Sequence, residues 1–79
     1  MNSVKELMAI HGYIYTGTCN CDGIKTRKYK NGYYEFRWRI NKYQFKVRHR
    51  NITMKPWTPV NQAEEYLKTL HAETPQIAV

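Results

Sequence analysis

Residues 25–50 read KTRKYKNGYYEFRWRINKYQFKVRHR. Aromatic and aliphatic residues alternate here with charged or polar ones: Tyr34, Phe36, Trp38 and Ile40 interleave with Glu35, Arg37 and Arg39, and Phe45 and Val47 interleave with Gln44, Lys46 and Arg48. A period of two predicts strands with one buried and one wet face. Asn31-Gly32 is the strongest hairpin signal in the stretch, because both residues tolerate the positive φ angles of a type I′ turn. A two-residue loop there pairs Lys30 with Tyr33, Tyr29 with Tyr34 and Lys28 with Glu35. A second two-residue loop at Asn41-Lys42 pairs Ile40, Trp38, Phe36 and Tyr34 with Tyr43, Phe45, Val47 and His49 on one face. It sets Arg39, Arg37 and Glu35 against Gln44, Lys46 and Arg48 on the other. A slip of one residue would exchange the two faces, so this register decides which side is core.

The flanks supply the cover. Ser3 followed by Glu6 is a capping box that starts a short helix, with Val4, Leu7 and Met8 on one face and Gly12 placed to end it. Tyr13 to Thr18 reads as a strand, and Asn20 to Gly23 as a turn. Pro56 marks a break, and Thr58-Pro59 reads as an N-cap followed by proline at the first helical position. Val60, Ala63, Leu67 and Leu70 then form an apolar stripe, with Glu64 and Glu65 near the start, where the helix dipole favours acids. The expected fold is α+β and a single domain, 1–79. It comprises an N-terminal helix and strand (1–23), a three-stranded antiparallel β-meander (24–50) packed on a C-terminal α-helix (58–72), and a flexible tail (73–79). A chain of 79 residues buries only about 60 % of its unfolded surface, so the core is thin.

Charge is concentrated in the same stretch. The chain has 13 lysines and arginines against 6 acids, a net of +7. Ten of those bases lie between Lys25 and Arg50, with Glu35 the one acid among them, so the flanks together are slightly acidic. An apolar content of 42 % with seven tyrosines excludes a disordered chain. No apolar run approaches the roughly 20 residues that span a bilayer, and Met1 to Ile10 lacks the apolar stretch of a secretory signal, so the expected location is cytoplasmic. The bases sit on strands and not along a helix, which argues against a membrane-surface binder.

The wet face of the meander carries Thr26, Lys28, Lys30, Tyr33, Arg37, Arg39, Gln44, Lys46, Arg48 and Arg50, a pattern that suits a polyanion. These residues, Thr26 apart, are the candidate nucleic-acid contacts. The strand–hairpin–strand with a basic face, followed by Thr58-Pro59-Val60-Asn61-Gln62-Ala63-Glu64-Glu65-Tyr66-Leu67, resembles the N-terminal arm-type DNA-binding domain of phage and transposon integrases over Lys25 to His71. That resemblance implies a three-stranded sheet backed by a C-terminal helix. It also implies major-groove contacts by Lys28, Arg37, Arg39, Lys46 and Arg48. Met1 to Gly23 precedes the similar region and no recombinase domain follows it, so the resemblance points to a stand-alone phage or mobile-element protein and not to an integrase. The expected function is non-catalytic binding of nucleic acid, with duplex DNA favoured over RNA. Tyrosines and Trp57 raise single-strand stacking as a variant of that function, although only Tyr33 shares the predicted basic face. A different class is a small phage or mobile-element protein, such as a host-defence inhibitor or minor virion component, whose basic face meets an acidic protein.

Cys19 and Cys21 are the candidate metal ligands, with His11, His49 or His71 to complete a site. Their C-x-C spacing is shorter than that of structural zinc knuckles, and no second knuckle follows. They read as reduced thiols, because a bond between residues so close in sequence looks strained. A thiol nucleophile would need a cleft that so short a chain hardly builds, so neither an enzyme nor a cofactor is expected.

Overall fold

The computed structural model describes residues 3–21 and 23–72. The expected flexible tail, 73–79, lies outside them, as does Asp22 of the expected Asn20–Gly23 turn. Helix α1 (Val4–Ile10) starts as its sequence dictates: the Ser3 hydroxyl accepts from the Glu6 N–H (3.2 Å), and the Glu6 carboxylate accepts from the Ser3 N–H (2.8 Å). It ends at Gly12, whose φ of +78° any side chain would disfavour. The Gly12 N–H donates to the Ala9 carbonyl and the Tyr13 N–H to the Met8 carbonyl, the two bonds of a Schellman motif.

Five strands follow in one antiparallel sheet, in chain order: β1 (Ile14–Cys21), β2 (Ile24–Asn31), β3 (Tyr34–Arg39), β4 (Gln44–His49) and β5 (Ile52–Pro59). A 3₁₀ turn, Val60–Gln62, leads into helix α2 (Ala63–Ala72). The class is α+β, but the expected three-stranded meander gains a strand at each edge. β1 is an integral strand paired along β2, not an extension. β5 was hidden by its prolines. An edge strand tolerates Pro56, because the missing N–H is needed by no neighbour, and the β4–β5 pairing is irregular on both sides of Val47. Thr58 is correspondingly not an N-cap. It lies in β5 opposite Phe45, buried, with its hydroxyl donating to the Pro56 carbonyl (2.7 Å), and the helix begins at Ala63.

The β3–β4 register is the expected one, from Tyr34↔His49 to Arg39↔Gln44. The chain turns through four residues and not two: Ile40–Lys42 is 3₁₀, and Tyr43 takes the left-handed conformation at φ +52°. The first hairpin is displaced by two residues. Asn31 pairs with Tyr34, Tyr29 with Phe36 and Lys28 with Arg37, so the expected Lys28–Glu35 pair is replaced by Lys30↔Glu35. Of the turn residues only Gly32 has positive φ (+61°), as a turn with glycine in its first central position requires. Asn31 stays in the strand, where its side-chain amide donates to the His11 carbonyl (2.9 Å) and so satisfies a backbone acceptor at the end of α1. A shift of two preserves the parity of every side chain, so the two faces survive the correction.

Both helices cover one face. Phe36, Phe45, Val47, Ala63 and Leu67 have no exposed surface, and Val4, Leu7, Met8, Tyr13 and Tyr29 complete the core. Trp38 sits half-buried at its margin, with the Arg27 guanidinium 5.7 Å from its ring centroid. The deepest aromatic contact is instead Phe36 on Phe45, with centroids 5.4 Å apart. Replacing Phe45→Ala should destabilise the fold by about 3–5 kcal/mol, and Trp38→Ala by less, as read from urea unfolding.

All three histidines of the chain meet where the helices dock. His11 at the end of α1 and His71 of α2 stack at 5.6 Å, the Tyr13 hydroxyl lies 2.8 Å from His71 Nε2, and Tyr34 packs edge-on to His71 and against His49. Burial lowers the His71 imidazole below its ordinary value and the neighbouring His11 lowers it further. Burial lowers His11 as well, against an opposing pull from Glu64. Both values lie below the 6.5 of the unfolded chain, so the unfolded state binds more protons in this range and stability rises with pH. That contribution is fully present above about pH 6.5 and is lost as the pH falls through the folded-state values. The urea midpoint should therefore fall between about pH 7.5 and about pH 5.5. His71→Gln, which keeps a partner for Tyr13, should narrow that fall; an unchanged difference would assign the pH response to other groups.

Candidate nucleic-acid interface

On the face that the helices leave uncovered, β2, β3 and β4 align their outward residues in cross-strand rows. Lys28, Arg37 and Lys46 form one row, Lys30, Glu35 and Arg48 the next, and Thr26, Arg39 and Gln44 a third. Neighbouring side chains within a row stand about 5 Å apart. Lys25 and Arg27 alternate to the helix side, where Arg27 meets Trp38. Thr26 is not available as a contact: it is buried, and its hydroxyl donates to the Ile24 carbonyl (3.2 Å).

Glu35 holds the centre of this face. Its carboxylate accepts from Arg37 Nε at 2.8 Å and lies 3.8 Å from Arg48. One acid between two guanidiniums offsets part of their repulsion and fixes the Arg37 side chain along β3. The Lys28–Arg37–Lys46 row has no acid within it.

At one end of the face two turns come together. Arg50 and Asn51, between β4 and β5, both have positive φ, +53° and +68°, the pair of values that a type I′ turn demands. Arginine is a rare occupant of that conformation, which is why the sequence carries no hairpin signal here. The Arg50 N–H donates to the Tyr33 carbonyl (3.1 Å), and its guanidinium lies 4.1 Å from the centroid of the Tyr33 ring. Lys30, Arg37, Arg48 and Arg50, with Tyr33 and Glu35, surround a cup of about 190 Å³.

At the other end stands Trp57 of β5. The Arg39 guanidinium lies 3.8 Å from its ring centroid and the Lys46 ammonium 5.7 Å. This corrects the expectation that Tyr33 alone of the candidate stacking rings shares the basic face, since Trp57 stands on β5, which is not among the expected strands. The β-branched and aromatic content of Ile52, Thr53 and Trp57 was the available signal, masked by Pro56. The candidate contacts Lys28, Lys30, Arg37, Arg39, Gln44, Lys46 and Arg48 thus lie in rows on one face, with Tyr33 and Arg50 closing one end and Trp57 the other.

Cys19 of β1 stands opposite Thr26 at the edge of the third row. Cys19 is disulfide-bonded, which corrects the expectation of reduced thiols. The Cys21 side chain lies outside the described residues. Among the described residues, no three of the His, Cys, Asp and Glu side chains are grouped so as to hold a metal, and no helix is long and apolar enough to cross a membrane.

Comparison with known protein families, curated proteins and solved structures finds no match to this chain.

If Glu35 offsets cation repulsion, Glu35→Gln should lower stability by about 1 kcal/mol at low salt, and high salt should remove most of that loss. Urea unfolding at two ionic strengths measures it. A loss independent of salt would mean that Glu35 acts through packing.

Proposed function

We propose that this chain binds nucleic acid, without catalysis, through the outer face of its sheet. The observation that carries the reading is the Lys28–Arg37–Lys46 row, three cations directly opposite one another across adjacent strands, of which Arg37 is paired with Glu35 on its own strand. Like charges in that arrangement destabilise a sheet, and a small domain has little stability to spare. A polyanion removes the penalty by placing phosphates between the cations and releasing its own counterions. Lys30, Arg39, Arg48 and Arg50 extend the same field along the face, so an approaching phosphate backbone meets one sign of charge over most of its path.

The resemblance to arm-type integrase domains supports the same side of the sheet, since the residues it implicates, Lys28, Arg37, Arg39, Lys46 and Arg48, share this face. The polar rows supply phosphate contacts, which fix position without reading sequence.

The test sets stability against binding. Lys28→Ala combined with Lys46→Ala should raise the melting temperature by relieving the row. By fluorescence anisotropy it should weaken binding to mixed-sequence DNA and reduce the salt slope of log K by about 2. Unchanged affinity would overturn the face assignment. Absence of binding by the parent protein at low salt would overturn the nucleic-acid reading and make the face a docking surface for an acidic protein.

A further inference from the structure

We infer that the ligand of this face is a single-stranded nucleic acid, with a phosphate seated in the cup between the two turns and a base stacked on Tyr33. The inference rests on the nucleic-acid reading above and adds which form is bound and where.

Tyr33 is 67 % exposed, although the Arg50 guanidinium lies over one side of its ring. The ring therefore contributes nothing to the core and has one side open to solvent. It stands on the rim of the cup whose walls are the four cations Lys30, Arg37, Arg48 and Arg50 and the one carboxylate of Glu35. At about 190 Å³ the cup has room for a phosphate group. Donors in the cup are fixed in advance: Glu35 holds Arg37, and Arg48 donates to the Asn51 carbonyl (3.2 Å). A phosphate and an aromatic ring side by side match one nucleotide, which carries both a charge and a π-face.

The type I′ turn at this end places a non-glycine, non-asparagine residue, Arg50, at positive φ, where glycine would be the less strained choice. Arg50 in that conformation lays its guanidinium over Tyr33 and reaches the cup. Strain that aims a cation at a charged cup is the kind that marks a binding site.

At the opposite end, the Arg39 guanidinium over Trp57 offers a second plane for a base, either ring or guanidinium. The rows of Glu35 and Arg39 are four residues apart along β3, roughly 13 Å, which a few nucleotides cover. A duplex uses this arrangement poorly. Its bases are already stacked on one another, so Tyr33 and Trp57 would gain nothing. The five strands are also about 19 Å across, against a major groove of about 12 Å. The edge strands β1 and β5, which widen the expected three-stranded meander, are what make groove insertion a poor fit.

The experiment compares anisotropy titrations of the intact protein with mixed-sequence single-stranded DNA, the same sequence as RNA, its DNA duplex of equal length, and inorganic polyphosphate. Single strands should bind at least about tenfold more tightly than the duplex, and Tyr33→Leu should weaken single-strand binding by roughly 5- to 100-fold while leaving polyphosphate unaffected. Tyr33→Phe should retain single-strand affinity. Preference for either DNA or RNA among the single strands supports the inference and identifies the sugar. Duplex binding equal to or tighter than single-strand binding, or a Tyr33→Leu protein indistinguishable from the parent on single strands, overturns it. In those two cases the basic-face reading still stands if the Lys28 and Lys46 substitutions weaken binding; failure to bind any nucleic acid sinks both.

Discussion

The stacked pair of Phe36 and Phe45, with no exposed surface and rings within 7° of parallel, is the contact from which both sides of this domain follow. The two residues stand on adjacent central strands, and any one-residue slip of β3 against β4 would carry one of them into water. Burial of the pair therefore fixes the register. The register in turn fixes the opposite face, because alternation leaves Arg37, Arg39, Lys46 and Arg48 nowhere to go but outward. The helices do not create this division. They cover it: α1 through Leu7 and Met8, α2 through Ala63 and Leu67, both on the side where the phenylalanines already stand.

What the sequence reveals of this arrangement is the part set by periodicity. The β3–β4 register was legible because six alternating positions on each strand admit one solution. The β2–β3 register was not, because the local turn preference of Asn31-Gly32 competes with a long-range demand. The His11 carbonyl at the end of α1 needs a donor, and the Asn31 side chain supplies it from within the strand. Local turn chemistry loses by two residues, a displacement that conserves faces and so leaves the outward candidates intact. β5 was illegible for a different reason: proline reads as a breaker along the chain, while its tolerance on an edge strand is a property of the finished sheet. With β5 went Trp57. The Arg50-Asn51 turn could not be read at all, since neither residue pairs a glycine with its positive φ.

The imidazole cluster shows how little redundancy so small a domain has. His11, His49 and His71 come from α1, β4 and α2, and Tyr13 and Tyr34 bridge them, so one group of side chains fastens both helices to the sheet. Burial pushes the Tyr13 phenol up, keeping it a neutral hydrogen-bond partner for His71 across the physiological range. The fastening is made of neutral rings, and a proton added to either stacked imidazole introduces charge beside another ring that burial already disfavours charging.

The same use of rings extends to the cations. Among the described residues, Arg27, Arg39, Lys46, Arg50 and Lys55 each lie over an aromatic ring, on Trp38, Trp57, Tyr33 and Tyr66, whereas Glu35 makes the two ion pairs. Two of these contacts are close, Arg39 on Trp57 at 3.8 Å and Arg50 on Tyr33 at 4.1 Å, and both stand at the ends of the basic face. A carboxylate partner, as Glu35 is to Arg37, orders a guanidinium but offsets part of its charge. An aromatic face orders the guanidinium, lowers the entropy lost on binding, and leaves the charge in place. Holding its arginines on Trp57 and Tyr33 is how this sheet keeps a fixed geometry and a positive field together. It also leaves aromatic surface beside each charge, where the phosphate and base of the proposed ligand would arrive together.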